Sequence, residues 1–171
     1  MTQTVDPLQD APRPERRGAF FLLFFSLMAI GAGNTMLIAA VLPPMTRELN
    51  LPDWMAGSIF ALSAFWWSVT SPFWGRKSNR WGRRPVAAMG LAGYGLSMTL
   101  LLVFGWLSLN HVITGTALVF ICLAASRSMF GLLGSGANPA AQAYVADRTS
   151  PAERQSQIAF ITSGFSVGTV I

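Results

Sequence analysis

The chain has 171 residues, of which 52% are hydrophobic and 11% are charged, and its formal net charge is +5. About a quarter of the residues in an ordinary soluble domain are charged, so a soluble fold of this length could not cover so much apolar surface. The basic residues form short clusters between long apolar runs, which indicates membrane topology and not a nucleic-acid footprint. A single cysteine, Cys122, excludes a disulfide within this chain, and a single histidine, His111, excludes a histidine-based metal cluster.

Five long apolar runs follow a polar start, residues 1–18, that is rich in proline and is expected to be a disordered N-terminus. Each run approaches the roughly 20 apolar residues that a membrane helix needs. Proline marks several boundaries, because Pro43 and Pro44 close the first run and Pro85 and Pro151 lie in the first turn of later ones. The predicted spans are 19–41, 53–74, 85–106, 117–144 and 151–171. The sequence therefore predicts an all-α integral membrane protein with four complete spans and a truncated fifth.

Basic residues are distributed unevenly over the connecting segments. All but one of the basic residues in these segments lie in the N-terminus, in the connection between spans two and three, or in the connection between spans four and five. They are Arg13, Arg16, Arg17, Arg76, Lys77, Arg80, Arg83, Arg84, Arg148 and Arg154. Because Lys and Arg remain on the cytoplasmic side, these segments are predicted to lie inside, with the protein in the cell (inner) membrane. Four tryptophans fall at predicted span ends, where interfacial tryptophans belong: Trp54, Trp74, Trp81 and Trp106.

The densest basic segment runs from Gly75 to Arg84. Gly75 is expected to end a helix and Gly82 to form a turn, and the arginines also suit contact with acidic lipids. The segment resembles the signature loop of the major facilitator superfamily, G-x-x-x-D-R-x-G-R-R. The matching residues are Gly75, Arg80, Gly82, Arg83 and Arg84. The family's aspartate is replaced by Asn79, which hydrogen-bonds but forms no charge pair. The resemblance implies that these six residues form a cytoplasmic gating loop.

Two further segments resemble the same family. Residues 127–136 are similar to its helix-4 pattern R-x-x-x-G-x-G, with one extra residue between the last glycines, and residues 143–154 are similar to the next connection in the drug:proton antiporter branch, which includes tetracycline exporters. The three motifs occur in the family's order. The resemblance implies the N-terminal portion of a twelve-helix fold built from two pseudo-symmetric halves, with the C-terminal half as a missing partner.

Arg127 is the candidate that physical chemistry singles out. It lies about ten residues inside the fourth predicted span, about 15 Å along the helix axis. A charge at that depth costs at least about 2.5–3.5 kcal/mol and by default marks a functional site, whereas snorkelling to the interface is the structural alternative. No Asp or Glu lies within the apolar spans. The partner of Arg127 is therefore left open between Asn34, a backbone carbonyl, an anionic substrate and a residue of a missing half. The resemblance implies coupling to protons or to substrate charge.

Two other residues are candidates for lining a substrate cavity. Asn34 places an amide inside the first span, where an interhelical hydrogen bond is an equally good interpretation. Trp66 belongs to an aromatic run in the second span, where packing is favoured over a role in binding. In the fourth span, Pro139 removes a backbone hydrogen bond and is expected to bend the helix.

These observations predict a secondary active transporter, specifically one for proton-coupled efflux of a small molecule, and not an enzyme. The expected partners are the substrate, protons and membrane lipids, with no nucleic acid, cofactor or metal. A chain of this length is not expected to transport alone, because alternating access needs two helix bundles. An importer of a small metabolite on the same fold and a non-transporting membrane scaffold are the alternatives.

Overall fold

The computed structural model describes residues 15–170, with side chains from residue 18 onward. Within this range the chain consists of helices joined by short turns and contains no strand, which confirms the all-α prediction. The helices are α1 (Glu15–Met36), α2 (Leu42–Glu48), α3 (Asp53–Trp81), α4 (Arg83–Leu109), α5 (Thr116–Leu133), α6 (Ala137–Ala146) and α7 (Pro151–Val170). The segment predicted to be disordered lies outside the described residues, except that α1 has already begun at Glu15.

The first apolar run does not end at Val41 as the sequence predicts. A π-helical turn, Leu37–Val41, joins α1 to α2, and the N–H of Leu42 donates to the carbonyl of Leu37. The two prolines that were expected to stop the helix instead occupy the first turn of α2. Proline lacks a backbone N–H and its ring crowds the carbonyl four residues earlier, and the π-helical turn directly before the two prolines accommodates this disruption without ending the helix. The result is one continuous helical unit, Gly18–Glu48, of 31 residues.

Within the described residues, three helical units are long and apolar enough to cross a membrane by length and composition: Gly18–Glu48, Arg83–Leu109 and Thr116–Ala146. The sequence predicts four complete spans, so the counts differ by one. The difference lies in α3, whose 29 residues extend about 44 Å, more than the roughly 30 Å hydrocarbon core. Several serines and a threonine lower the hydropathy of α3, and some of these side chains bond to a neighbouring helix.

The helices pack as a bundle in which α1 lies against α7, while α3 and α4 both lie against α5. After α5, a 3₁₀ turn at Gly134–Gly136 leads into α6, which contacts α4. One core cluster gathers around Leu27, Phe130 and Ile161, and a second lies around residues such as Leu101 and Leu123. The packing therefore holds α1, α3, α4 and α5 around a shared interior.

Small residues set the distance between α1 and α7. A Cβ on Gly164 would lie 2.5 Å from the carbonyl oxygen of Phe24 in α1, and Gly31 and Gly168 face the partner helix's backbone at similarly close range. Close backbone approach through glycine is the usual way in which membrane helices associate, because lipid supplies no hydrophobic drive for them to do so.

We expect Gly164→Ala to lower the thermal unfolding temperature of the protein purified in detergent. The new methyl group forces α7 away from α1, at a cost of about 1–3 kcal/mol for overpacking. That cost exceeds the roughly 1 kcal/mol that alanine gains over glycine in a helix. Gly57→Ala in α3 is the matched control, because its Cβ would have no atom within 4 Å. Equal unfolding temperatures for both variants would show that the α1–α7 contact tolerates the methyl group.

Candidate functional site: a buried arginine and a basic helix end

Arg127 lies on α5 with only 2% of its surface exposed. Its Nη2 donates a hydrogen bond of 2.8 Å to Oδ1 of Asn34 on α1. Of the partners that the sequence left open, the structure thus identifies the Asn34 amide. The alternative of snorkelling is wrong, because the side chain points into the bundle and is almost fully covered. The bond joins two helices that are 93 residues apart in the chain.

Aromatic rings surround the guanidinium group. Its Cζ lies 4.8 Å from the ring centroid of Phe130 and 5.7 Å from that of Phe60. Tyr94 of α4 stacks edge-on against Phe130 at 5.3 Å, and its hydroxyl contacts Gly33, the neighbour of Asn34. Cation–π attraction between the guanidinium and these rings compensates part of the lost hydration.

The guanidinium keeps unused hydrogen-bonding capacity. Nε and Nη1 of Arg127 are buried and have no hydrogen-bond partner among the described residues. The one ion pair in the described part of the chain joins Arg83 to Asp147 and does not involve Arg127. A buried charged donor without an acceptor carries a large desolvation cost. The arrangement can therefore accept a carboxylate, another anionic group or a water molecule with a net gain.

Trp66, the other predicted cavity residue, has a different environment from Asn34. It is half-buried on α3, and its Cβ faces Gly131 of α5, where an added Cβ would lie 2.7 Å away. This contact belongs to the interface between α3 and α5. The structure thus joins Asn34 to Arg127 and shows a packing contact for Trp66.

The predicted disturbance of the fourth span appears at Gly134–Gly136, just before Pro139. A proline ring clashes with the carbonyl four residues earlier, here that of Ser135, which explains why the α-helix gives way to a 3₁₀ turn at this point. Side chains of α3 bond to carbonyls near the break: Thr70 Oγ1 donates to Gly131 at 2.9 Å, and Trp74 Nε1 donates to Leu132 at 2.6 Å.

Trp74 consequently differs from the sequence prediction. It is 8% exposed and packs against the α5–α6 break, so the prediction of an interfacial tryptophan is wrong there. The other three tryptophans of that group are more than half exposed: Trp54, Trp81 and Trp106. The physical reason is that the indole N–H reaches a backbone carbonyl left accessible by the 3₁₀ turn.

The predicted gating loop is mostly helical. Gly75 does not end a helix, because α3 continues to Trp81, and Asn79 and Arg80 lie exposed on its last turns. Gly82 alone separates α3 from α4, and it adopts φ +96°, a conformation that side chains with a Cβ rarely adopt. The turn prediction for Gly82 therefore agrees with the structure, and the prediction for Gly75 is wrong.

At this end of the bundle, two arginines of α4 contact the last part of α6 and the segment that follows it. We call this region the basic end: Arg83, Arg84, Arg148, Tyr144 and Asp147. Arg83 Nε donates to Asp147 Oδ2 at 3.0 Å, and its Nη1 donates to Ser78 Oγ at 2.7 Å. Sequence reasoning missed Asp147 as a site residue. The signal was available, since Asp147 lies in the second of two basic segments placed on the same membrane side, where a carboxylate can pair with an arginine.

Tyr144 connects the two other arginines of the basic end. Arg84 Nη2 donates to the Tyr144 hydroxyl at 3.2 Å, and the Arg148 guanidinium carbon lies 4.0 Å from the Tyr144 ring centroid. Tyr144 itself is 7% exposed. A buried aromatic anchor thus holds two cations whose side chains reach toward solvent.

We expect Asn34→Leu to destabilise the protein by about 1–3 kcal/mol, because a third donor of Arg127 loses its acceptor in a buried site. The double variant Arg127→Met/Asn34→Leu should recover most of the loss, since apolar groups of similar size remove both partners together. Unfolding midpoints in detergent for the wild type, both single variants and the double variant measure the coupling. Strictly additive effects would mean that the hydrogen bond contributes nothing to stability.

Residues 23–171 match the Major Facilitator Superfamily. The chain is 29% identical over 157 residues to multidrug resistance protein 2 of Bacillus subtilis (strain 168), covering 92% of this chain and 36% of that protein. It is 30% identical over 148 residues to the class C tetracycline resistance protein of Escherichia coli, covering 85% of this chain and 33% of that protein.

A second tetracycline resistance protein of Escherichia coli, class B, is 32% identical over 152 residues, covering 87% of this chain and 34% of that protein. The chain thus spans about a third of the length of the curated relatives that it matches. No solved structure matches it. Because the family match covers nearly the whole chain, this multi-pass membrane protein belongs to the Major Facilitator Superfamily.

Proposed function

We propose that this chain is the N-terminal portion of a proton-coupled efflux transporter for small molecules, situated in the inner membrane with its N-terminus in the cytoplasm. The observation that carries the proposal is Arg127, a buried guanidinium with one amide acceptor and two nitrogen atoms that find no acceptor in the described part of the chain. The named relatives, multidrug and tetracycline resistance proteins, favour export over uptake. The distribution of basic residues supports the orientation.

Retention of Arg127 is costly for a protein that needs only a stable bundle. An apolar residue in its place would avoid both the desolvation of the cation and the two unpaired donors. A hydrogen-bond acceptor that binds to Arg127 during part of the transport cycle would compensate for the cost of burying its positive charge. We infer that Nε and Nη1 bind an anionic or acceptor-rich group of the substrate, or a protonatable group that loses its proton beside the fixed charge.

The protonatable group itself is expected outside the described spans, since no carboxylate there pairs with Arg127. Alternating access in this family requires a second bundle that rocks against the first around a central site. We therefore propose that a C-terminal half completes the site, with Asn34 orienting Arg127 toward it. In the same mechanism the basic end acts as a cytoplasmic gate, in which the Arg83–Asp147 pair ties the α3–α4 turn to the segment after α6.

The first test measures efflux from cells that express the reading frame encoding this chain. The compounds tested are tetracycline and a panel of fluorescent dyes. We expect efflux that a protonophore abolishes, and a loss of about tenfold to a hundredfold in Arg127→Gln, which is the size of one charge-assisted hydrogen bond. Arg127→Lys should recover only part of the rate, because an ammonium group cannot reproduce the donor geometry of a guanidinium.

Arg76→Gln is the matched control for this test, because Arg76 is an exposed arginine on α3 that belongs neither to the surroundings of Arg127 nor to the basic end. It should leave efflux unchanged, and all variants need equal membrane expression. Wild-type efflux by Arg127→Gln would remove Arg127 from the mechanism. Efflux that persists with the protonophore would exclude proton coupling, and accumulation of a substrate in the cells would favour an importer.

A charge exchange tests the gate. Asp147→Arg alone places like charges together and should slow transport by about twofold to fivefold, because an exposed pair contributes only about 0.2–1 kcal/mol. The double variant Arg83→Asp/Asp147→Arg restores opposite charges and should recover most of the rate. Initial rates of efflux at low and high salt measure this effect, which salt should weaken. A double variant as slow as the single one would show that the pair has no gating role.

A further inference from the structure

A groove lies between α2 and α4 at the end of the bundle opposite the basic end. It encloses about 390 Å³, and its walls are mostly apolar, with Met45 of α2 on one side and Leu102 and Trp106 of α4 on the other. Glu48, the last residue of α2, is the only charged residue among those that line it. A single carboxylate therefore belongs to an otherwise apolar groove.

Both walls of the groove run away from the basic end. α4 begins with Arg83 in the basic end, and Ala19, near the start of α1, lines a cavity together with Arg83. Met45 and Gly105 align the two walls, because a Cβ on Gly105 would lie only 2.7 Å from Sδ of Met45. Lining residues that precede this contact are therefore deeper in the bundle, and those that follow it are nearer the open end of the groove.

The groove is amphipathic along its length. Val41 and Leu102 line the deep part, whereas Trp106 and Glu48 lie toward the open end. Trp106 is more than half exposed, as expected for a tryptophan at the membrane–water interface. The α4 wall extends from Leu101 to Leu109, about 12 Å, which is most of the roughly 15 Å depth of hydrocarbon in one leaflet. An acyl chain fits this length, with its headgroup at the level of the carboxylate.

The two charges at the open end match a zwitterionic headgroup. Glu48 and its neighbour Arg47 are both exposed, and neither forms an ion pair within residues 18–170, where Arg83 and Asp147 form the one pair. The carboxylate can therefore bind a cation from outside this part of the chain, and the guanidinium can bind an anion. A lipid headgroup with an ammonium group and a phosphate supplies both. The indole of Trp106, which lines the same groove as Glu48, also favours an ammonium group.

We propose that this groove binds one phospholipid with a primary ammonium headgroup, the chemistry of phosphatidylethanolamine. Glu48 accepts hydrogen bonds from the ammonium group, Arg47 donates to the phosphate, and one acyl chain lies between α2 and α4. The quaternary ammonium of phosphatidylcholine has no N–H to donate to the carboxylate. Phosphatidylglycerol brings a negative charge and no cation to Glu48. The inference requires only that the chain lies in a membrane and does not rest on the proposed transport activity.

Native mass spectrometry of the protein that the reading frame encodes, purified in neutral detergent, tests this site. The probes are phosphatidylethanolamine, phosphatidylcholine and phosphatidylglycerol with identical acyl chains, and a short-chain phosphatidylethanolamine. We expect one phosphatidylethanolamine to bind about tenfold tighter than either other lipid, the size of one charge-assisted hydrogen bond. Glu48→Gln should lose this preference. Leu102→Trp should fill the groove and weaken binding of the long-chain lipid while all charges remain. Both residues are exposed, so neither change removes a buried contact.

Two matched controls carry equivalent changes outside the groove. Glu153→Gln removes an exposed carboxylate from α7, and Val103→Trp adds the same ring at an exposed position of α4 that does not line the groove. Both should bind phosphatidylethanolamine as the wild type does. The proposal is overturned if the three lipids bind equally, if Glu48→Gln keeps the preference, or if Val103→Trp weakens binding as much as Leu102→Trp. Equal affinity for the short-chain lipid would exclude the groove, and a dimer that Leu102→Trp dissociates would assign it to a second copy of the chain.

Discussion

The burial of one guanidinium group is the constraint on which the interior of this bundle depends. Arg127 lies on α5 with 2% exposure, and each helix around it contributes something that makes the charge tolerable. The amide of Asn34 on α1 accepts one hydrogen bond, and the rings of Phe60 on α3 and Phe130 on α5 cover the guanidinium faces. Tyr94 on α4 supports Phe130 from the other side. Two nitrogen atoms of Arg127 have no hydrogen-bond partner within residues 18–170, so the packing around the guanidinium is complete there while its hydrogen bonding is not.

The rest of the bundle is built from close contacts between small residues and from carbonyls that the helices leave accessible. Glycines bring α1 against α7, and Gly131 brings α3 against α5 one turn from Arg127. Where Pro139 forces a 3₁₀ turn, Thr70 and Trp74 of α3 bond to the carbonyls of Gly131 and Leu132. Polar side chains of α3 thus lower its hydropathy and also serve the interface. Because polar side chains are used at this interface, α3 is less apolar than its neighbours, although it is long enough to span a bilayer.

At the basic end, a few side chains connect α4 to the end of α6 and to the segment that follows it. Arg83 joins the α3–α4 turn to Asp147, while Tyr144 anchors Arg84 and Arg148. A gate made of such contacts would be sensitive to the charge of the surrounding leaflet, because a lipid phosphate competes with carboxylates for guanidinium donors.

The sequence by itself determined the helical class, the family and the turn at Gly82, because apolar runs, glycine and proline act locally. It also singled out Arg127 as a candidate, because a charge inside an apolar run is visible without any tertiary contact. Its errors at Val41, Gly75 and Trp74 have a common cause. Whether a helix ends or continues, and which way an indole points, depends on neighbouring helices. Only the tertiary structure decided that Asn34 is the partner of Arg127, 93 residues away, and that Asp147 is the partner of Arg83, 64 residues away. Such pairings depend on the rotation and depth of each helix, which are set by packing between helices and not by any local pattern.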